Sequence, residues 1–365
     1  MIKDISETAT TDITKNDLRV LIDWLSFTFS PGGDFTITDA VTFLGFHTDD
    51  FIRASKGASG YRTMHLYNGA IIRVLSDGKP DMGIHVDVSG SAISALLYAW
   101  QKKNTCNTPF GGTATMYSDF VYTLLLDMLD ALSGIAAFTR LDLAIDDIGC
   151  SYYSCDDISR LAENQQIISR FKKFEIRNPR TLSDGTKKGH TVYFGSRKSE
   201  IMLRIYDKKL EQIGRNIDCP YEWIRWELEL KGDRAKQAVQ LLLDTHSISM
   251  VCMGILNHYI RFIVKDNPVR GRCTNEPVWN AFLEDGKNLS LYIPEDTKTV
   301  EDTKRWIDKY VGASLSLVIE ADGGCMDFIY NNLYKWRIRR MHNRNLTKRL
   351  QQAIQTLEKE QKLCQ

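Results

Sequence analysis

Tyr206 stands in the stretch Leu203-Arg204-Ile205-Tyr206-Asp207-Lys208-Lys209, with a guanidinium two residues before it and an ammonium two residues after it. Side chains alternate between faces on an extended strand, so Arg204, Tyr206 and Lys208 are expected to project from one side. A phenolic oxygen between two cations has the makings of a nucleophile for a phosphodiester. It can hold the phosphate as an ester while the other end of the broken bond leaves as a hydroxyl. A phenol with an ordinary pKa of about 10 needs help to ionise, and the flanking cations are expected to lower that value and to grip adjacent phosphates. The plainer alternative is an aromatic in a sheet with its hydroxyl at the rim. Tyr193, in Val192-Tyr193-Phe194-Gly195-Ser196-Arg197, is the second candidate and lacks the Arg-x-Tyr-x-Lys surroundings.

Carboxylates come next, because a hard cation such as Mg²⁺ or Mn²⁺ binds them and would neutralise a phosphate during in-line attack. Asp142 and Asp146 share a face of one alternating segment, Glu227 and Glu229 of another, and His85 and Asp87 of a third. Neighbouring strands would merge these acids into one cluster beside the tyrosine. The alternative for each acid is a solvated strand position paired with an arginine. Arg140, Arg197, Lys209 and Arg225 lie in the same segments and are the candidate DNA contacts, joined near the C-terminus by Arg337, Arg340 and Arg344.

The elements that must position these residues follow from period and punctuation. Residues 1–17 read as a polar tail, and Leu18 to Phe29 as a strand. Tyr61 to Leu66 and Ala70 to Leu75 flank Asn68-Gly69, a strong hairpin signal, and Gly83 to Val88 supplies a further strand before Gly90. Helices are expected over Ala92–Trp100, Tyr117–Leu132, Asp156–Phe171, Asp233–Asp244 and Val300–Val311. Between them lie strands at Ala137–Asp146, Phe174–Arg177, His190–Gly195, Glu200–Asp207 and Tyr221–Leu230. Ser247–Val264 reads as helical, and a long basic helix carries Lys335, Arg337, Arg339, Arg340, Arg344, Lys348 and Arg349. The fold expected is α+β, a mainly antiparallel curved sheet with helices on one face and a mostly helical C-terminal part. The two halves read as an internal duplication, since His85-Val86-Asp87-Val88-Ser89-Gly90 and Glu227-Leu228-Glu229-Leu230-Lys231-Gly232 each run into a helix past a glycine. The divisions expected are 1–17, 18–245 and 246–365.

Composition bounds the classes. The net charge of the 365-residue chain is only +1, which argues against coating nucleic acid by bulk charge, yet residues 170–215 are locally basic. Eight cysteines include no CxxC pair, so reduced thiols are expected. No apolar run suits a bilayer and no leader pattern opens the chain, which points to the cytoplasm. No Walker or dinucleotide fingerprint occurs, so ATP-driven unwinding must come from a partner.

Taken together, Asp23-Trp24-Leu25-Ser26-Phe27, the His85 strand, Thr139-Arg140-Leu141-Asp142-Leu143-Ala144-Ile145-Asp146, the Tyr206 block and Trp226-Glu227-Leu228-Glu229-Leu230 resemble the Rep-trans family of rolling-circle replication initiators. The resemblance implies Tyr206 as nucleophile, Asp142 and Glu227 as leading metal ligands, and an origin-specific nickase that joins itself to a 5′ phosphate and later reseals the strand. It implies origin DNA as partner, both duplex and single-stranded at the nick, a host helicase and polymerase, and a homodimer as one assembly. A conjugative relaxase and a non-catalytic origin-binding protein of the same fold stay open as alternatives.

Overall fold

A computed structural model describes residues 17–30, 35–67, 72–104, 114–287, 289, 300–341, 350–351 and 354. Along the chain run β1 (Asp17–Phe29), α1 (Ile37–Phe43), β2 (Ile52–Arg53), β3 (Thr63–Tyr67), β4 (Ile72–Ser76), β5 (Ile84–Ser89), α2 (Ile93–Asn104), α3 (Ala114–Ser133) and β6 (Ala136–Ile148). There follow α4 (Cys155–Glu163), β7 (Ile167–Ser169), β8 (Phe174–Arg177), β9 (Thr191–Gly195), β10 (Ile201–Asp207), α5 (Lys208–Gly214), β11 (Trp223–Lys231), α6 (Asp233–Thr245) and α7 (Ile248–Tyr259). The last elements are β12 (Ile260–Phe262), α8 (Pro277–Gly286), α9 (Val300–Tyr310), α10 (Gly312–Ala321) and α11 (Asp327–Met341). Two compact units divide them: Met1–Phe29 with Trp100–Ile293, and Ser30–Ala99 with Pro294–Gln365.

In the first unit antiparallel strands lie in the order β1-β6-β11-β10-β9-β8. Strict alternation separates two faces. Leu141, Leu143, Ile145, Trp226, Leu228, Leu203, Ile205 and Val192 are buried on one of them. There α6 packs against β6 and β11, burying Ala235, Ala238, Val239 and Leu242. Gly232, at φ 53°, makes the turn from β11 into α6 in a conformation that a side chain would resist. The other face carries the charged residues, and it is closed to water where they meet: Asp142, Asp146 and Glu227 are all buried. The plainer alternative for these acids therefore holds in one part and fails in the other: each is paired with an arginine, but none is solvated.

Most elements fall where the pattern places them, and the exceptions have local causes. The helix expected over 156–171 stops at Glu163, because Gln165 takes φ 56° and the β-branched Ile167-Ile168 go on to pair with β12. That pairing also ends α7 at Tyr259 instead of continuing to 264. Lys208 is not on the strand with Arg204 and Tyr206: the Asp207 carboxylate accepts from the Leu210 amide at 2.9 Å, capping α5 and starting it at Lys208.

The division expected after 245 falls inside the first unit. The Trp226 ring lies 4.9 Å from Phe282, 5.9 Å from Phe262 and 6.0 Å from Trp279, so the segment after α6 covers the apolar face of the strand that carries Glu227. Trp226 is 1% exposed, and truncating such a ring to alanine costs about 3–5 kcal/mol.

The second unit holds the meander β2-β3-β4-β5, with Ile84, Val86 and Val88 buried and His85 and Asp87 on the opposite face. The halves share a strand, a helix, the meander β3-β4-β5 or β9-β10-β11 and a closing helix, but α5 lies between β10 and β11 and has no counterpart between β4 and β5. Among the C-terminal helices, α9 packs on α10, and α11 exposes Lys335 and Arg337. The tail before Asp17, the Asn68-Gly69 turn and Arg344 lie outside the described residues. Among the described residues no helix is long and apolar enough to cross a membrane, and the cysteines are free thiols.

Candidate active site

Register builds the site. Across β10 and β11, Arg204 lies opposite Glu227 and Tyr206 opposite Arg225, while across β11 and β6 Arg225 lies opposite Asp146 and Glu229 opposite Asp142. All these positions share one face, so the motifs read from separate parts of the chain converge there without any loop contributing.

The Tyr206 hydroxyl is held between a base and a cation. It donates to Glu227 Oε2 at 3.3 Å and accepts from Lys208 Nζ at 3.3 Å. The Arg204 guanidinium lies 4.9 Å from the Tyr206 ring centroid and grips both Glu227 oxygens. Lys208 reaches the phenol from the first turn of α5 and is itself steadied by Glu211 at 2.6 Å. Glu211 carries no obvious signal in the sequence beyond its place three residues after Lys208.

Burial reverses the expected titration. The flanking cations were expected to lower the phenol pKa, but Tyr206 is 7% exposed and desolvation raises its pKa well above 10, against the downward pull of Arg225. Desolvation and then Asp23 raise Glu227, which makes it the better proton acceptor of the pair. Desolvation, with Arg225, lowers Lys208. Glu227 is thus the carboxylate within hydrogen-bond distance of a phenol that burial keeps protonated.

Behind the tyrosine lies a buried ion-pair network. Arg225 donates to Asp146 at 2.6 and 2.7 Å and to Asp23. Arg225 was a candidate DNA contact, yet it is 5% exposed and fully occupied, so it is an internal strut of the site instead. Asp23 was missed as a site residue. Between Ile22 and Trp24 the β1–β6 register slips, leaving Asp23 as the extra residue of a β-bulge that turns its carboxylate toward Arg225. Its signal in the sequence is a lone acid between Ile22 and Trp24, at the head of one of the blocks that carry the family resemblance.

Arg140 donates to Asp142 at 2.9 Å and to Glu229 at 2.9 Å, with its guanidinium 4.9 Å from the Trp24 ring centroid, and Lys231 also pairs with Glu229. Arg197 is exposed beside Tyr193, and Lys209 pairs with Glu222. His85 and Asp87 belong to the second unit, where Asp87 accepts from Arg73 at 2.9 Å and lies 3.2 Å from His85 Nε2. Arg337 is exposed on α11, and Arg340 lies in the same helix.

The donor set suits a hard divalent cation by chemistry: buried carboxylate oxygens, of which burial, opposed by Arg140, pushes Asp142 up to about 7. Glu227, also raised, would gain from an added positive charge. Among the described residues no three His, Cys, Asp or Glu side chains converge as ligands, since arginines hold Asp142, Asp146 and Glu227. A cation at Glu227 therefore has to displace Arg204, and Asp146, forked by Arg225, is the least available of the expected ligands.

This arrangement has relatives. The pattern of the Replication initiation factor family matches residues 136–332. A protein of Bacillus subtilis (strain 168) assigned as the DNA relaxase NicK is 35% identical over 198 residues, 53% of this chain and 56% of that protein. The match thus spans about half the length of that curated relative. A rolling circle replication initiator protein from Geobacillus stearothermophilus superposes with a TM-score of 0.62 at 25% identity, over 76% of this chain and 99% of that one. With more than half of its length matched, including β6, β10 and β11, the chain belongs to the Replication initiation factor family.

Proposed function

We propose that the protein nicks and reseals DNA to initiate rolling-circle replication. Tyr206 Oη attacks a phosphodiester phosphorus as Glu227 accepts the phenolic proton. The bond to the 3′ oxygen breaks, Glu227 passes the proton on to that oxygen so that the 3′ end leaves as a hydroxyl, and the 5′ phosphate stays on Tyr206 as an ester. Lys208 and Arg204 offset charge on the phenolic and phosphoryl oxygens. Resealing reverses these steps: Glu227 takes the proton of the attacking 3′ hydroxyl and returns it to the departing phenolic oxygen. The observation that carries this reading is the buried Tyr206 hydroxyl held between Glu227 and Lys208, each at 3.3 Å.

Mg²⁺ or Mn²⁺ would be held by Glu227 and Asp142, aided by Glu229, and when bound would supply charge neutralisation at the phosphate. Arg140, Arg197 and Lys209 would contact the strand near the nick. Arg337, Arg340 and Arg344 would hold duplex DNA outside it, giving the C-terminal helices the role of origin grip. A helicase and a polymerase of the host would act on the opened strand, and the protein would work in the cytoplasm.

A conjugative relaxase is the second reading, favoured by the likeness to the Bacillus subtilis relaxase. Incubation with supercoiled DNA carrying either a replication origin or a transfer origin, with Mg²⁺, tests both. A covalent protein–DNA adduct on one of them is expected and names the process; no adduct on either leaves a binding protein without the chemistry.

A further inference from the structure

Tyr193 is the tyrosine that the nicking chemistry leaves over. It sits on β9 directly opposite Arg204, on the same face as Tyr206, in the part of the sheet where β8 forms the outer strand. Its surroundings differ from those of Tyr206. The Arg177 and Arg197 guanidinium carbons lie 5.2 and 5.7 Å from its ring centroid. Both arginines are exposed. Arg177 is anchored by Glu175 at 2.6 Å, whereas Arg197 has no carboxylate partner among the described residues. Tyr61, Tyr153 and Tyr206 each spend their hydroxyl on a hydrogen bond. Tyr193 makes none among the described residues, and Glu175, directly opposite it on β8, is paired with Arg177.

A partly exposed ring beside exposed guanidiniums offers a π-surface and phosphate-binding cations together. Only a base freed from its neighbours can lie on such a ring, which selects a single strand over a duplex. Diagonal neighbours on adjacent strands are about 7–8 Å apart, and Tyr193 and Tyr206 stand in that relation. At about 3.4 Å or more of strand per nucleotide, this places the ring within two nucleotides of a phosphate at Tyr206.

We propose that Tyr193, Arg177 and Arg197 form a stacking step for one base of single-stranded DNA beside the scissile phosphate. The location rests on the reading of Tyr206 as nucleophile, whereas the binding itself does not. Tyr193 is a binding residue, and its phenolic oxygen takes no part.

The test is fluorescence anisotropy with a labelled single-stranded oligothymidylate about twelve nucleotides long, using the full chain. Tyr193→Leu is expected to weaken binding roughly 5- to 100-fold, the range for loss of one stacked base. Tyr193→Phe and Tyr193→Trp, which keep a ring, are expected to recover most of that loss. Arg197→Gln is expected to flatten the salt dependence. Thermal melts of each variant separate lost folding from lost stacking, and the aromatic variants keep the test decisive if Tyr193→Leu melts early. Binding by Tyr193→Leu within about twofold of the unaltered protein overturns the proposal, as does a phenylalanine variant as weak as the leucine one. If the unaltered protein forms no DNA adduct yet these binding contrasts persist, the nicking reading fails and the stacking step stands.

Discussion

The β10–β11 pair and the β4–β5 pair start from one plan. In each, an arginine faces a carboxylate across the antiparallel register, Arg204 opposite Glu227 and Arg73 opposite Asp87. Two residues further along, Tyr206 faces Arg225, whereas Leu75 faces His85. The arginines are equally exposed, 34% and 33%, but the carboxylates are not: the Glu227 side chain is 2% exposed and Asp87 14%. An Arg–carboxylate pair is therefore scaffold common to both halves. What distinguishes the second half is a phenol in the apolar position and a buried arginine behind it, held by Asp146 and Asp23.

The sharpest way to break this contrast is at the phenol. Tyr206→Phe removes the oxygen and leaves the ring, so nicking and adduct formation should fall at least about a thousandfold while DNA binding stays near normal. Retained nicking, measured by relaxation of supercoiled DNA, would move the nucleophile away from β10.

Glu227 is next. Glu227→Gln removes the proton acceptor and should cost about 10²- to 10⁴-fold in cleavage rate, read in single-turnover assays. Asp142→Asn should also lose cleavage at ordinary Mg²⁺, with partial recovery in Mn²⁺. Full activity of both variants in excess EDTA would remove the cation from the site.

The buried network sets the third contrast. Arg225→Met strands Asp146 and Asp23 without a counter-charge and should destabilise the fold by about 3–5 kcal/mol in urea denaturation. Asp87→Asn breaks a more exposed pair and should cost about 1 kcal/mol or less. Equal costs would mean that the two pairs are equally desolvated.

The last contrast is in the pH dependence of stability. Asp142 has its folded-state pKa raised to about 7 from 3.8, chiefly by burial, so the folded state binds the extra proton between those values. Its contribution to stability is present at low pH and is lost as pH rises from about 4 to about 7. The stability of the unaltered protein relative to Asp142→Asn should therefore fall across that window and level off above it. A difference that rises with pH would reverse the assignment.

Much of this site was legible in the residues because strands carry a period of two. Arg204 and Tyr206, Glu227 and Glu229, and Asp142 and Asp146 each had to share a face once their segments were strands. Lys208 was misplaced onto that face because the capping by Asp207 competes with strand continuation, and only the hydrogen bond to Leu210 shows which prevails. Arg225 looked like any DNA-facing cation. Nothing local distinguishes a strand arginine that meets phosphate from one that meets Asp146. The boundary expected after Thr245 failed for a similar reason, since the cover over Trp226 comes from residues far along the chain.

The sequence by itself determined which residues could do chemistry and that they would lie on sheet faces, because residue type and strand period are local properties. Only the tertiary structure decided that β6, β11 and β10 are neighbours and that a bulge turns Asp23 inward. It also decided that the charged face is dry enough to raise the phenol pKa against its flanking cations. Desolvation depends on everything packed around a group, and no stretch of residues read in isolation contains it.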